Sequence, residues 1–144
     1  MKLYLLTALF ILMTSISFSQ RIYDYKTKNN ENSSDRTLLL DIYRAKLYND
    51  YKQEFVFVVN HFKVGGNYAW LMANVERKDG RKVRMLDDGD AWDCCHVEAL
   101  FKKSRAKWLL VESGEFSTDV WWQNICRRYP QAPQLIFDEM GCGD

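Results

Sequence analysis

Residues 54–77 (EFVFVVNHFKVGGNYAWLMANVER) constrain the fold more than any other segment of the chain. They are predicted to form two β-strands joined at Gly65, Gly66 and Asn67, because glycines supply the positive φ angles that a tight turn needs. Alternation gives the first strand two apolar faces, one with Phe55, Phe57 and Val59 and the other with Val56, Val58 and Phe62. A strand with one solvated face would alternate apolar and polar residues, so we expect this hairpin to be covered on both sides.

A targeting segment is predicted at residues 1–19. Lys2 is its charged part, residues 3–16 are nearly all apolar, and Ser17 and Ser19 are the small residues expected before a cleavage site. The alternative is a membrane anchor, but the apolar run is short for a span of about 20 residues. We expect a signal peptide, an exported and soluble mature protein (periplasmic or secreted), and no stable membrane insertion after cleavage.

The charge balance argues against a nucleic-acid partner. The chain has 20 Lys and Arg against 19 Asp and Glu, and removal of Lys2 with the signal peptide leaves 19 of each. Nucleic-acid binding usually needs a basic stripe. The expected partners are therefore a protein, a peptide or an apolar small molecule, and a second copy of the chain is a further candidate.

The element order predicts one α+β domain over residues 34–144, preceded by a flexible arm at residues 20–33. A helix capped by Ser34 or Asp35 runs to about Lys52, because its apolar residues recur at three- and four-residue steps. Strands follow at residues 68–77, 82–86, 96–103 and 108–116, and the last of them, apolar on both faces, is expected to be central. Ser117 or Thr118 caps a short second helix that Pro130 stops.

This outline is a helix packed on a curved antiparallel meander of about five strands, with a short C-terminal helix. It resembles the cystatin-like and NTF2-like folds in element order. That likeness implies a sheet that cradles a helix.

A more specific resemblance covers about two thirds of the mature chain. Its motifs are Glu98-Ala99-Leu100-Phe101, Thr118-Asp119-Val120 and Tyr129-Pro130-x-x-Pro133-x-x-Ile136-Phe137. Phe57-Val58-Val59 and Val64-x-x-x-Tyr68-Ala69-Trp70 continue the pattern. Together they resemble the signature of small exported bacterial proteins of uncharacterised function. The resemblance implies a signal peptide and one domain, and it implies no activity.

The cysteines predict disulfides, because an even number is typical of proteins in an oxidising compartment. Four are present, at Cys94, Cys95, Cys126 and Cys142, and three pairings can be written. Neighbouring residues on a strand point to opposite faces. The favoured scheme therefore joins one of Cys94 and Cys95 to Cys126 and the other to Cys142, and a vicinal Cys94–Cys95 bond is the alternative.

Metal and catalytic sites receive little support from the residue pattern, so no metal, cofactor or catalytic residue is assigned. The acidic tract at residues 87–93 could wrap a hard cation, but it lacks EF-hand spacing. Cys94, Cys95, His96 and Cys126 lack zinc-ligand spacing. No family-type sequence surrounds a cysteine for His61 or His96 to activate. Glu98, Glu112 and Glu115 are interpreted as a solvated sheet face, since nothing in the sequence brings them together.

The aromatic residues give the one candidate surface. Exposed aromatics beside a concave sheet are typical of a ligand or partner patch, here Phe57, Tyr68, Trp70, Trp121 and Trp122. Trp121 and Trp122 would lie roughly 100° apart on a helix, so one is expected to be buried and the other partly exposed. The favoured function is a non-catalytic binding module. The alternative is a small cavity-containing hydrolase or isomerase of NTF2-like type.

Overall fold

The computed structural model describes residues 20–85 and 92–137. The predicted signal peptide, residues 87–91 of the acidic tract and Cys142 lie outside the described residues. The elements are, in chain order, β1 (Ile22–Asp24), α1 (Ser33–Tyr51), β2 (Phe55–Gly65), β3 (Tyr68–Arg77), β4 (Trp92–Ser104), β5 (Lys107–Ser117), α2 (Ile125–Arg128) and a 3₁₀ turn (Gln134–Ile136). The described strands form one antiparallel meander in the order β1-β2-β3-β4-β5. The α+β class is therefore confirmed.

Two apolar clusters lie on the two faces of this sheet. On the face that we call the inner face, α1 packs through the fully buried Leu39, Tyr43 and Leu47 against Ala69 and Ala73. On the opposite, outer face, residues 118–137 cover Trp70 and Leu100. Complete burial of a Leu or Phe side chain stabilises a fold by about 1.5–3 kcal/mol.

The N-terminal segment is part of the sheet rather than a free arm. β1 pairs with β2 from Ile22 to Asp24, and Tyr25 is buried against Phe62 with ring centroids 5.7 Å apart. The helix cap is Asn32, not Ser34 or Asp35. The buried Asn32 carboxamide bridges the preceding loop, donating to Thr27 O at 2.9 Å and accepting from Asn29 N at 2.9 Å.

A β-bulge in β2 changes which residues share a face. The register slips between Val59 and His61, so Val59 lies opposite Ala73 and His61 lies opposite Met72. Phe62 consequently joins Phe55 and Phe57 in the inner core instead of lying with Val56 and Val58. Val56 and Val58 are exposed. The prediction that both faces of this strand are covered is therefore wrong for its first half, because the outer apolar cluster does not include Val56 or Val58. Beyond Val59 the extra residue inverts the alternation, which removes Phe62 from that outer set.

Two strand predictions are also corrected. Residues 82–85 are not a strand: the carboxamide of Gln53 accepts from Arg84 N at 2.9 Å and donates to Arg84 O at 2.8 Å, so it uses the groups that a strand would pair. β5 lies at the sheet edge rather than centrally. Its second apolar set, Leu109 and Val111, is exposed.

The disulfide pattern differs from the favoured scheme. Cys94 and Cys95 are bonded to each other, across a cis peptide bond, and Cys126 is disulfide-bonded as well. The favoured scheme assumed the alternation of a regular strand, but the pairing of β4 with β5 is irregular between Trp92 and Val97. The vicinal alternative is therefore the one observed. No helix in the described part of the chain is long and apolar enough to cross a membrane.

Candidate functional site

The most elaborate polar arrangement surrounds Glu98 on the outer face. His96 and Glu98 are two residues apart on β4, so their side chains leave the same face of the sheet. Their neighbours across β3 are Asn74 and Met72, respectively. Glu98 is only 4% exposed. It is a charged residue in a stretch whose other members, Val97, Ala99 and Leu100, are fully buried and apolar.

Three side chains satisfy the Glu98 carboxylate. Trp121 Nε1 donates to Oε2 at 3.0 Å, and Trp122 Nε1 donates to Oε1 at 2.9 Å. His96 Nε2 lies 2.6 Å from Oε1. A buried carboxylate is costly unless it is hydrogen-bonded, and hydrogen bonds to charged groups are the strong ones. We call these four residues the Glu98 cluster, and they fasten residues 118–137 to the sheet.

Both indoles reach one carboxylate because the chain is not helical where they lie. Residues 121–124 form turns, and α2 begins only at Ile125, after Asn124 with a φ of 56°. The predicted helix from Ser117 or Thr118 would have separated the two rings. Gly114 permits the approach of Trp121, since a Cβ at this position would overlap the indole ring.

His96 links the Glu98 cluster to solvent. Its side chain is 26% exposed, and its Nδ1 lies 3.4 Å from Asn74 Oδ1. A carboxylate that contacts one ring nitrogen of a histidine orients the ring and favours a proton on that nitrogen. This geometry can hold a positioned imidazole or a protonated His96 paired with Glu98.

A second carboxylate braces the same segment. Glu112 accepts from Arg128 Nη1 at 2.5 Å and from the Tyr129 hydroxyl at 2.7 Å, and Arg128 also donates to Trp121 O at 2.9 Å. Burial, followed by the hydrogen bond to Glu112, raises the pKa of Tyr129 from 10.0 to about 12.

The third glutamate, Glu115, faces the other side of the sheet. Its Oε1 lies 3.0 Å from both the Tyr43 hydroxyl and Lys46 Nζ. Burial raises the pKa of Tyr43, and Glu115 raises it further. Glu98, Glu112 and Glu115 therefore belong to separate arrangements and form no carboxylate pair.

The five predicted patch residues do not form one surface. Phe57 lies on the inner face, where its ring stacks on Tyr43 at 5.6 Å between centroids. Tyr68, Trp70 and Trp122 are buried beneath or within residues 118–137, and Trp121 is half-buried. Phe57 therefore lies on the opposite face of the sheet from the other four residues, and a ligand or partner role for any of the five stays a prediction.

His61 contacts the backbone of the 3₁₀ turn rather than a cysteine. His61 Nε2 lies 2.6 Å from Ile136 O, which ties the 3₁₀ turn to β2. Among the described residues no group of three or more His, Cys, Asp or Glu is placed to hold a metal ion.

A groove runs between α1 and the edge of β2, and no sequence pattern indicated it. It has a volume of about 580 Å³ and is lined by Arg44, Ala45, Tyr48, Glu54, Phe55, Val56 and Lys78. The signal for the Glu98 cluster, in contrast, was visible in the sequence as one carboxylate inside an apolar strand and one glycine inside a neighbouring strand.

Comparison with protein-family models, with curated proteins and with solved structures gives no match to this chain.

Proposed function

We propose that the protein is an exported, non-catalytic binding module that takes up an extended apolar peptide segment along the free edge of β2. The observation that carries this proposal is the short reach of β1. Its ladder partners on β2 are Lys63, Val64 and Gly65, and one further backbone hydrogen bond runs from Tyr25 N to Phe62 O at 2.7 Å. Among the described residues, no strand pairs with the remainder of that edge.

The backbone of this edge favours an extended ligand. An unpaired strand edge presents a row of N–H and C=O groups, and peptides that add a strand bind to such a row. The bulge after Val59 ends the regular stretch, so the available edge covers residues 55–59. That length matches a short linear segment rather than a whole domain edge.

The groove beside this edge exposes apolar side chains. Val56 is 38% exposed and Tyr48, on α1, is 51% exposed, and both line the groove. The charged lining residues are engaged locally: Arg44 pairs with Asp41 at 2.5 Å, and Lys78 with Glu54 at 3.1 Å. An apolar centre with a charged rim is typical of a polypeptide-binding surface. The groove therefore favours an apolar side chain of the ligand.

Selection from a displayed library of random linear peptides tests the proposal. Peptides enriched on the mature protein are expected to lose about tenfold or more in affinity when Tyr48→Ala or Val56→Lys is introduced, because these residues line the centre of the groove. They should also protect the amides of residues 55–59 from hydrogen exchange. Leu38→Ala and Leu109→Lys are matched controls, since both residues are exposed but neither lines the groove.

Three results would overturn this function. The first is the absence of any enriched peptide, the second is an equal loss of affinity in the control variants, and the third is protection of β5 instead of β2.

A small hydrolase or isomerase is the second candidate, and the contact between His96 and Glu98 is the observation in its favour. Glu98 would orient the imidazole, and Nδ1 would accept the proton. However, neither residue lines the α1–β2 groove. Turnover of a panel of chromogenic esters, amides and phosphates, lost in His96→Gln, would favour this candidate over the binding module.

A further inference from the structure

The vicinal disulfide lies in a cavity of its own. The cavity has a volume of about 370 Å³, and its lining includes Cys94, Cys95, Arg77, Arg81 and Lys82. Cys94 is exposed, whereas Cys95 is half-buried and packs against the inner core. Cys94 is thus the more exposed residue of the disulfide, and it shares the cavity lining with three basic residues.

Hydrogen bonds fix the segment that carries the basic lining residues of this cavity, which we call the basic wall (residues 77–82). Arg77 binds Asp79 through Nε at 2.9 Å and through its terminal nitrogen, and Asp79 also accepts from Arg81 N at 3.1 Å. Gly80, with a φ of 72°, completes the turn. Beyond the other end of the basic wall, buried Gln53 holds the backbone of Arg84. Arg81 and Lys82 are therefore presented on an ordered segment.

The charges of the cavity favour an anion. Its basic lining residues outnumber the one acidic lining residue, Glu76. Arg77 is only 14% exposed and bound to Asp79. Arg81 also contacts Asp79, at 4.0 Å, but is 80% exposed, and Lys82 is exposed as well. Nearby cations raise the local concentration of anions and stabilise a thiolate relative to a thiol.

We propose that Cys94–Cys95 is a thiol–disulfide exchange site for small thiols that carry a carboxylate. The thiolate of the small molecule attacks Cys94 Sγ, forming a mixed disulfide, and the electron pair of the broken S–S bond leaves on Cys95 Sγ as a thiolate. A second small thiolate then attacks the sulfur of the first small molecule in the mixed disulfide. It forms a small-molecule disulfide and releases Cys94 as a thiolate. The protein disulfide gains two electrons, and the two small thiols lose them.

This site is independent of the peptide groove. The groove is lined by α1, β2 and Lys78, and the exchange cavity by β3, the turn that follows it and β4. Either proposal can therefore fail without the other.

The test compares glutathione, which is anionic, with neutral 2-mercaptoethanol. Tryptic peptide 85–102 of the mature protein holds both vicinal cysteines, so mass spectrometry after alkylation follows their reduction separately from the disulfide of Cys126, which is only 8% exposed. We expect the Cys94–Cys95 bond to be reduced before the Cys126 bond, with transient glutathione on Cys94. The double variant Arg81→Gln and Lys82→Gln removes two cations. It should lower the rate at which glutathione reduces the Cys94–Cys95 bond by about fivefold and leave the rate of reduction by 2-mercaptoethanol unchanged.

The matched control is Lys26→Gln with Lys28→Gln, which removes the same charge from exposed positions outside the cavity. This pair should leave both rates unchanged. The proposal is overturned if the bond of Cys126 is reduced first, if the cavity variant slows both thiols equally, or if the control pair slows glutathione as much as the cavity pair does.

Discussion

Trp122 donates its indole N–H to Glu98 across 2.9 Å, and both residues are at least nine-tenths buried. The contact joins a turn near the C-terminal end of the described chain to the middle of β4. Because Trp121 and His96 contact the same carboxylate, one acidic side chain organises the outer face. These contacts explain how residues 118–137, which are mostly irregular, stay packed over Trp70 and Leu100 on the outer face.

Replacing Glu98 with Gln is expected to lower the free energy of unfolding by about 2 kcal/mol, because an amide has one acceptor oxygen where the carboxylate offers two, and its NH₂ would face a donor. Urea unfolding followed by tryptophan fluorescence measures the loss. Glu76→Gln is the control, since Glu76 is exposed on the adjacent strand. A Glu98→Gln protein as stable as the control would show that the Glu98 cluster does not fasten residues 118–137.

Gly114→Ala should destabilise the protein by about 1–3 kcal/mol, because the added methyl group overlaps the Trp121 ring. The cost is expected to fall sharply in a Trp121→Ala background, where the space is open. A double-mutant cycle on unfolding free energies measures this coupling, which we expect to exceed about 1 kcal/mol. An additive cycle would place the cost in the backbone of β5 instead.

The stability that the Tyr129 hydroxyl contributes should disappear at alkaline pH. Its folded-state pKa is about 12 against an ordinary value of 10.0, so the unfolded chain loses this proton first as the pH rises. The contribution is complete below pH 10 and is lost between pH 10 and about 12. Comparison of wild type with Tyr129→Phe by urea unfolding across this range should show their difference shrinking.

Glu112→Gln provides the matched variant for that titration. Removing the carboxylate that accepts the Tyr129 hydrogen bond should lower the pKa of this tyrosine. In tyrosinate absorbance, the component that is missing from the titration of Tyr129→Phe should then move to lower pH. An unchanged titration curve would contradict the assigned role of Glu112.

Peptide mapping without reduction checks the disulfides. The vicinal bond predicts that peptide 85–102 is recovered alone, two hydrogens lighter than its reduced form, since both cysteines lie within it. A covalent link from this peptide to the one that contains Cys126 would restore the scheme that sequence alternation favoured.

The local pattern predicted most of the elements. The apolar stripe of residues 34–52 corresponds to α1, and the predicted turn corresponds to Gly66 and Asn67, which connect β2 to β3. Alternation along β4 separated Val97 and Ala99 from Glu98 correctly. These predictions succeeded because periodicity and turn chemistry are properties of a few consecutive residues.

The candidate sites were much less accessible to sequence reasoning. The sequence identifies Trp121 and Trp122 as candidates but not their common partner, because it predicts a helix where the structure has turns. The sequence offers His96 as a candidate base for a cysteine, whereas the structure places it against Glu98. The α1–β2 groove depends on how little of β2 is paired with β1, and no residue pattern encodes that length. The exported location and the resemblance to small exported bacterial proteins stay predictions.

The sequence by itself determined the class of the fold, the helix that packs on the sheet and the hairpin of residues 54–77. Only the tertiary structure decided which side of that hairpin is covered. The bulge between Val59 and His61 moves Phe62 to the inner core, and Val56, which precedes the bulge, lies exposed on the outer face beyond the cover of residues 118–137. The physical reason is that side-chain direction along a strand has a period of two, so one inserted residue, fixed by the partner strand, reverses every face beyond it.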